Sequence, residues 1–297
     1  MPYHIPVLLD ETLAALDQKP GARLIDGTIG DGGHTAAFLE RMDGKATVLG
    51  IDLDNTALAT AKERLASWGD RVLFAQGNYR DLEKIARANG WENATGILLD
   101  LGIRSAEIEE SGLGFSFLRD EPLIMRFDGR TDEETAASLV NSATQQELSD
   151  ILQTYGEESF APRIAKAIVI ARKRRRILRT SELVEIIRNA VPGFARHGKA
   201  HVATKTFQAI RIAVNEELAS VQAAIPVAIS FLAPGGTLAV MSFHSLEDRI
   251  VKTGLRRLAD VGTVELLTKK PIVPSEEEIK KNPRSRSAKL RAARTRS

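Results

Sequence analysis

The residues best suited to chemistry follow the first apolar run of the chain. Residues 26–34 read DGTIGDGGH, with four glycines in seven residues, directly before an apolar helix start at 35–39. A strand, a glycine loop and a helix N-terminus in this order bring backbone N–H groups against a ligand that side chains would otherwise keep away. The loop begins with the carboxylate of Asp26, which suits a cationic ligand better than a pyrophosphate.

This loop does not match the dinucleotide fingerprint GxGxxG. Counted from Gly30, the sixth position is Thr35, where the fingerprint needs the glycine that packs helix against strand. A nicotinamide oxidoreductase is therefore a weak alternative. S-adenosylmethionine carries an ammonium and a sulfonium at its methionine end, and it is the cofactor that an acidic strand end favours.

Three more apolar runs each deliver a polar residue at their C-terminal end: Asp52, Tyr79 and Asp100. In nucleoside-binding α/β domains, an acidic residue in the position of Asp52 accepts hydrogen bonds from the ribose hydroxyls. The ring of Tyr79 could stack on an adenine. Any one of these Asp residues could equally be a helix cap or a turn residue, but four such runs predict a ligand site at the carboxyl ends of parallel strands.

The elements that must position these residues form an interrupted α/β pattern. Residues 22–102 alternate between strands and helices, which is typical of a doubly wound parallel sheet. No buried strand is predicted between 104 and about 200. The predicted helices lie at 35–42, 55–67, 80–89, 144–153 (opened by a capping box from Thr144 to Glu147), 158–175 and 181–190.

The sheet resumes in the last third of the chain. An amphipathic helix begins near Ala203, and Pro226 is expected to kink or restart it. A turn at 234–236, a fifth strand at 237–243, a strand at 263–268 and a closing hairpin that includes 288–292 follow. We therefore predict an α/β fold, a Rossmann-like sheet formed by residues 1–105 and 200–297, with residues 106–199 inserted as an α-helical domain.

Composition excludes several classes of protein. The 297 residues include no cysteine, which removes disulfides, zinc–thiolate sites and cysteine nucleophiles and fits a reducing cytoplasm. No apolar run approaches ~18 residues and the N-terminus lacks a signal-peptide pattern, so no membrane partner is expected.

Positive charge is concentrated in two segments. Residues 280–297 hold eight basic residues and no acidic one, a charge of +8 that leaves −6 for the rest of a chain whose total is +2. Residues 172–179 hold six basic residues in eight positions. Such segments bind phosphate backbones with a salt-dependent affinity, although a solubilising tail or a solvated helix face has the same composition.

Together these motifs resemble the bacterial ribosomal RNA small-subunit methyltransferase H family. The resemblance runs over nearly the whole chain, and the sequences FHSLEDR at 243–249 and NPRS at 282–285 are its most specific parts. The other matching segments lie at 4–9, 26–34, 50–54, 96–102, 114–117, 155–158, 207–211 and 215–218.

The resemblance implies an enzyme that methylates the exocyclic N4 of a cytidine in the decoding region of small-subunit (16S) ribosomal RNA, with S-adenosylmethionine as methyl donor. The substrate is the RNA itself or the assembled subunit, and the helical insertion is expected to recognise the RNA. The protein is expected to act as a monomer or homodimer. The cofactor-binding positions implied by the family are Gly32, Gly33, His34, Asp52, Tyr79, Asp100 and Glu107, where the family has Gln at the last.

Methyl transfer from a sulfonium is an in-line displacement that needs alignment rather than a metal, and no metal site is expected. Asp100 is the first candidate to accept the N–H of the target amine, and Ser242 and His244 are the second, although His244 could equally be a helix cap. Phe115 and Phe117 stack on the target base or belong to the core. Phosphate contacts are expected from Arg249, Lys252 and the basic tail.

The departures from the family pattern cluster. Where the family reads DLGVSSPQLD, residues 100–109 read DLGIRSAEIE, so the segment 104–107 departs from the pattern at Arg104, Ala106 and Glu107. Leu113 replaces an Arg, Ile124 an Asp and Phe127 a Met. These changes leave two alternatives open: a catalytically impaired RNA-binding or assembly factor, and a methyltransferase with a different, small-molecule substrate.

Overall fold

The structure is a computed structural model, and it describes residues 6–104, 107–108, 111–131, 134–197 and 201–296. His4, Ser105 and Ala106, which belong to the motifs above, lie outside the described residues. The chain divides into two compact units. The sheet unit comprises Met1–Gly102 and Leu218–Ser297, and the helical unit comprises Ile103–Glu217.

Seven strands form one sheet in the sheet unit, in the order β3-β2-β1-β4-β5-β7-β6. Strands β1 to β5 are parallel to their neighbours within that set, whereas β7 runs antiparallel to both β5 and β6. The predicted α/β class with a Rossmann-like sheet is confirmed. The strands are β1 (Arg23–Asp26), β2 (Thr47–Asp52), β3 (Val72–Gln76), β4 (Ala94–Asp100), β5 (Leu232–Ser242), β6 (Val264–Leu266) and β7 (Lys289–Thr295).

Twelve helices can be bounded among the described residues. The sheet unit begins with α1 (Leu9–Leu16), α2 (Gly33–Arg41), α3 (Asn55–Arg64) and α4 (Leu82–Ala88). The helical unit contains α5 (Ala136–Ser142), α6 (Gln145–Gly156), α7 (Ala161–Arg172), α8 (Thr180–Ala190) and α9 (Thr204–Val214). The chain then adds α10 (Glu217–Phe231), α11 (Ser245–Asp260) and α12 (Glu276–Lys281).

The core of the sheet unit consists of two apolar clusters. Adjacent residues of a strand belong to different clusters, as Leu24 and Ile25 do in β1, because successive side chains point to opposite faces of a sheet. Helices α1, α2 and α3 contribute to one cluster, and α4, α10 and α11 to the other. Since both faces are covered, the parallel strands are apolar almost throughout, which is why their positions can be predicted from the sequence.

The helical unit has its own apolar cluster, formed by α5 to α9 together with residues of the segment 113–127. The predicted capping box opens α6: Glu147 N–H donates to Thr144 Oγ1 at 3.2 Å, and Thr144 N–H donates to Glu147 Oε2 at 2.7 Å. Helices α1, α5 and α12 were not predicted, since each is eight residues or shorter and gives little periodic signal.

The prediction for the long helix near Ala203 is wrong about where it breaks. The chain leaves the helix at Asn215 and Glu216, where Glu216 has a left-handed backbone with φ 50°, and Pro226 lies inside α10. The Asn215 amide supplies the physical reason. It donates to Met125 O at 2.7 Å and accepts from Phe127 N–H at 3.0 Å, so this tertiary contact holds the chain at the break.

The predicted turn at 234–236 lies within β5. Ala94 pairs with Leu232 while Gly96 pairs with Thr237, so the Pro-Gly-Gly segment forms an irregularity in an otherwise continuous parallel pairing.

No single helix among those described is long and apolar enough to cross a membrane. Helices α9 and α10, which meet at a bend of 53°, are together long and apolar enough, by length and composition only.

Candidate functional site

The candidate site lies at the carboxyl ends of β1, β2 and β4. The strand order reverses between β1 and β4, and such a switch point leaves a crevice in which α/β proteins bind ligands. Asp26, Asp52 and Asp100 are the last residues of these three strands. The structure therefore brings together the three acidic residues that the sequence placed at separate strand ends.

The glycine loop connects β1 to α2 and has no room for side chains. Gly32 caps α2 with φ 74°, in the left-handed region that favours glycine. A Cβ on Gly33 would lie 2.6 Å from Pro6 Cγ. The N-terminus of α2 is consequently lined by backbone, as an anionic or hydrogen-bonding ligand group requires.

Asp52 holds this loop in place. Its Oδ2 accepts a hydrogen bond from Gly30 N–H at 2.9 Å, and its Oδ1 accepts from Asp54 N–H at 3.0 Å. Because each carboxylate oxygen has two lone pairs, Asp52 retains acceptor capacity for the hydroxyls of a ribose.

Tyr79 lies against the same loop. It is half-buried in the short 3-10 turn that follows β3, and it packs on the core of the sheet unit. A Cβ on Gly27 would lie 3.2 Å from Tyr79 Cβ and 2.5 Å from Leu99 Cδ2, so the glycine permits the close approach.

Asp26 is fully inside the protein. Burial raises its pKa to about 6, although the hydrogen bond from Thr35 Oγ1, at 2.7 Å, opposes the shift. The nearby charge of Asp52 raises the pKa further.

Asp100 is the most perturbed acidic residue of the site. Burial raises its pKa to about 8, and the charges of Asp26 and Glu247 add to the shift. Its side chain remains 24% exposed, while Oδ1 is fully covered and has no hydrogen-bond partner among the residues that the structure describes. An unsatisfied buried oxygen at a switch point is typical of a group that meets a ligand.

His34 orients Asp100. Its Nε2 lies 3.1 Å from Val7 O, and because a carbonyl only accepts, this nitrogen carries the proton. Its Nδ1 lies 3.5 Å from Asp100 Oδ2. In the neutral imidazole Nδ1 is an acceptor, so the pair needs one further proton, which the raised pKa of Asp100 makes available at neutral pH.

A cationic ligand fits this set of residues. A positive charge in the crevice favours the ionised forms of Asp26 and Asp100 and lowers both pKa values. A doubly wound sheet with an antiparallel last strand, a glycine loop and carboxylates at the ends of β1, β2 and β4 defines a class I methyltransferase that uses S-adenosylmethionine.

Comparison with known proteins gives the family. The model of the MraW methylase family matches residues 1–296. A protein named ribosomal RNA small subunit methyltransferase H from Heliobacterium modesticaldum is 45% identical over 307 residues, with 98% of each chain covered. Proteins of the same name from Symbiobacterium thermophilum and Persephonella marina are 46% and 45% identical and cover 98% and 99% of this chain, and 96% and 99% of their own.

The chain therefore belongs to the MraW methylase family, and the resemblance drawn from its motifs is confirmed. It is a methyltransferase with S-adenosylmethionine as methyl donor.

The three residues suggested for the substrate lie on or beside β5. Ser242 is buried, and its hydroxyl donates to Lys289 O at 3.4 Å. His244 is the N-cap of α11, where its Nδ1 accepts from Glu247 N–H at 3.3 Å, the cap arrangement that the sequence left open. Arg249 is exposed on α11. Of these three, Arg249 alone presents its side chain chiefly to solvent.

Glu107 belongs to the helical unit and is buried there. Its Oε2 accepts from Arg104 N–H at 2.8 Å, and its Oε1 lies 3.7 Å from Arg104 Nε. Two of the departures from the family pattern are thus partners of each other.

Leu113 and Ile124 are neighbours too. Ile124 N–H donates to Leu113 O at 3.2 Å. The family's Arg and Asp at these positions are both replaced by apolar residues. The contact of Leu113 with Ile124 spans eleven residues and no sequence pattern identifies it, whereas Arg104 and Glu107 are only three residues apart.

The aromatic candidates lie in different surroundings. Phe115 is buried and stacks on Phe127, with ring centroids 5.3 Å apart, so it belongs to the core of the helical unit. Phe117 is half-buried and stacks on the exposed His201 at 4.6 Å.

Proposed function

We propose that this protein transfers a methyl group from S-adenosylmethionine to the exocyclic N4 of a cytidine in small-subunit ribosomal RNA. The names of its relatives support the class of RNA, and the resemblance of its motifs supports the atom. The observation that carries the proposal is the half-buried carboxyl of Asp100 at the switch point, with one covered oxygen that no described residue satisfies.

Asp100 acts on the target amine. The lone pair of a cytosine amine is delocalised into the ring, and a carboxylate that accepts one of its N–H groups localises the pair and later helps to remove a proton. The bound cofactor supplies an electrophilic methyl group on a positively charged sulfur. The imidazole of His34 keeps the carboxyl at the mouth of the crevice through the 3.5 Å contact with Oδ2.

The remaining roles follow from position. Gly32 and Gly33 admit the cofactor to the N-terminus of α2, Asp52 accepts from its ribose, and Tyr79 lies beside its adenine. The helical unit recognises the RNA, with Glu107 positioning the segment after β4 through Arg104. The protein works where ribosomal RNA is assembled, in the cytoplasm.

The proposal is tested by incubating purified protein with small subunits, or with their naked RNA, and labelled S-adenosylmethionine, and mapping the label by mass spectrometry. We expect a single N4-methylated cytidine, and Asp100→Asn should lower the rate at saturating cofactor by about 10²- to 10⁴-fold. Asp70→Asn, at an exposed acidic residue outside the site, is the matched control.

The alternatives predict other outcomes of that experiment. Cofactor binding without any transfer to RNA would identify a catalytically impaired factor, and transfer only to small molecules would identify another substrate. The pairing of Arg104 with Glu107 favours a repacked but working segment over a decayed one.

A second measurement tests whether the positive charge of the cofactor ionises Asp100. At pH 7 free Asp100 is mostly protonated, and a cation beside it lowers its pKa, so binding of S-adenosylmethionine releases up to about one proton. Calorimetry in buffers of different ionisation enthalpy measures this release. S-adenosylhomocysteine lacks the sulfonium charge and should release less; equal release by the two ligands would contradict the role given to Asp100.

A further inference from the structure

A pocket on the helical unit has no role in the reaction described above. It has a volume of about 580 Å³, within the range of ligand pockets, ~300–1,000 Å³. It lies between the start of α7 and the segment after α8, and it is lined by Ser159, Phe160, Pro162, Arg163, Pro192 and Phe194. The only charged residue in this lining is a cation.

Two aromatic rings form a corner at this pocket. Phe194 is 82% exposed, an unusual degree for a phenylalanine, and Phe160 is half-buried. Their centroids are 6.3 Å apart and their planes are inclined by 66°. A flat ligand can therefore stack on the face of Phe194 while its edge meets Phe160.

A row of cations leads away from this corner along α7. Arg163, Lys166 and the exposed Ile170 follow one another at spacings of three and four, so they share one face of the helix. Lys173 and Arg174 follow directly after the last helical residue, Arg172, which lies about 14 Å from Arg163 along the helix axis. All four cations are exposed, and their side chains form no ion pair or hydrogen bond with any residue that the structure describes.

We propose that the corner of Phe160 and Phe194 and the cationic face of α7 form a binding track for single-stranded RNA. An unpaired base stacks on Phe194, Arg163 binds the adjoining phosphate, and Lys166, Lys173 and Arg174 follow the backbone. Exposed aromatic faces combined with a cationic groove are how proteins hold single strands without reading their sequence. The identification of the strand as ribosomal RNA rests on the proposed function. The binding of single-stranded RNA by this track does not depend on it.

The first test uses fluorescence. Phe194→Trp places an indole at the corner, and its emission should be quenched when a 12-nucleotide single strand of polyuridine is added, because a stacked base quenches indole. Trp68 and Trp91 give a constant background. Val261→Trp, at a position that is 71% exposed in the sheet unit, is the matched control and should not be quenched.

The second test measures affinity for the same oligonucleotide and for a duplex of equal length. Phe194→Leu removes the flat ring and keeps an apolar side chain, so we expect single-strand affinity to fall by about 5- to 100-fold and duplex affinity to remain unchanged. Phe194→Tyr should restore binding. Arg163→Gln combined with Lys166→Gln should lower the salt slope by about 1.4, since each phosphate contact on a single strand contributes roughly 0.7.

Two results would overturn the track: wild-type affinity in Phe194→Leu, or a loss of self-association in that variant, measured by sedimentation, with RNA binding intact. The second result would assign the corner to an interface between copies of the chain. Methylation of ribosomal RNA is measured separately with the wild type. A protein that binds single strands through Phe194 but does not methylate would keep the track and remove the proposed function.

Discussion

Two segments of this chain are densely basic, and the structure uses them differently. In the tail, residues 280–297, Lys289 and Arg291 bind Asp248, at 3.2 and 2.7 Å. In the segment 172–179, which begins at the last residue of α7, Lys173, Arg174 and Arg176 are exposed, with no ion pair to any described residue. Other cations of both segments have local partners: Lys281 with Glu277, Arg294 with Asp17, Arg172 with Val140 O, Arg175 with Glu182 and Arg179 with Asp120.

The difference shows that a count of charges does not assign them a role. Arg291 lies in the middle of β7, is only 7% exposed, and joins that strand to α11 through Asp248. The sequence predicted phosphate contacts for the whole tail. In the structure its most buried cation, Arg291, instead pairs with Asp248 inside the sheet unit. The segment 172–179 leaves the helix after Arg172, so several of its side chains remain in solvent.

The largest effect is expected from Arg291→Met. The substitution leaves the buried carboxylate of Asp248 with one of its two partners, and breaking a buried pair costs about 3–5 kcal/mol. Urea unfolding measures the free energy of unfolding. Arg294→Met on the same strand removes an exposed pair and should cost no more than about 1 kcal/mol. Equal losses in the two variants would erase the contrast between buried and exposed tail cations.

Part of the stabilisation that the pair of Arg291 and Asp248 gives to the fold should depend on pH. Burial by itself raises the pKa of Asp248, but the hydrogen bonds and charges of Arg291 and Lys289 outweigh it, and the net pKa lies below the ordinary 3.8. The ionised group therefore stabilises the fold above that pH, and the stabilisation is lost as the pH falls below it. Thermal unfolding between pH 5 and 2, roughly the window of this titration, should show a smaller acid loss in Arg291→Met than in the wild type.

The third effect concerns RNA rather than stability. Replacing Lys173, Arg174 and Arg176 together by Gln should lower the salt slope of RNA binding by about 2, because each single-strand phosphate contact contributes roughly 0.7. The free energy of unfolding should stay within about 0.5 kcal/mol of the wild type, since the three side chains are exposed and unpartnered. An unchanged slope with intact binding would show that this segment is only a solvated surface.

The smallest effect is expected from the exposed remainder of the tail. Lys280, Arg286 and Arg296 are spread over seventeen positions, whereas Lys173, Arg174 and Arg176 lie within four. Replacing the three tail cations by Gln should change the salt slope by less than roughly half as much as the triple variant of the segment 172–179 does. A larger change would show that the tail, and not the segment 172–179, makes most of the phosphate contacts.

Much of the fold could be predicted because it depends on local patterns. The parallel strands are covered on both faces, so their apolar runs are nearly continuous, and the capping box of α6 is written in four consecutive residues. The break at Glu216 could not be predicted, because it depends on the contact of Asn215 with a segment almost ninety residues earlier. Proline chemistry alone pointed to Pro226 instead.

The apolar runs alone indicate that Asp26, Asp52 and Asp100 end parallel strands, and that rule of topology is enough to bring them to one edge of a sheet. It takes the folded chain to show that Asp100 is held by His34 with an oxygen left for a ligand, and that Arg291 is structural while Arg163 is not. Burial and long-range partners set the pKa of an acid and the role of a cation, and neither is encoded in the neighbouring residues of the chain.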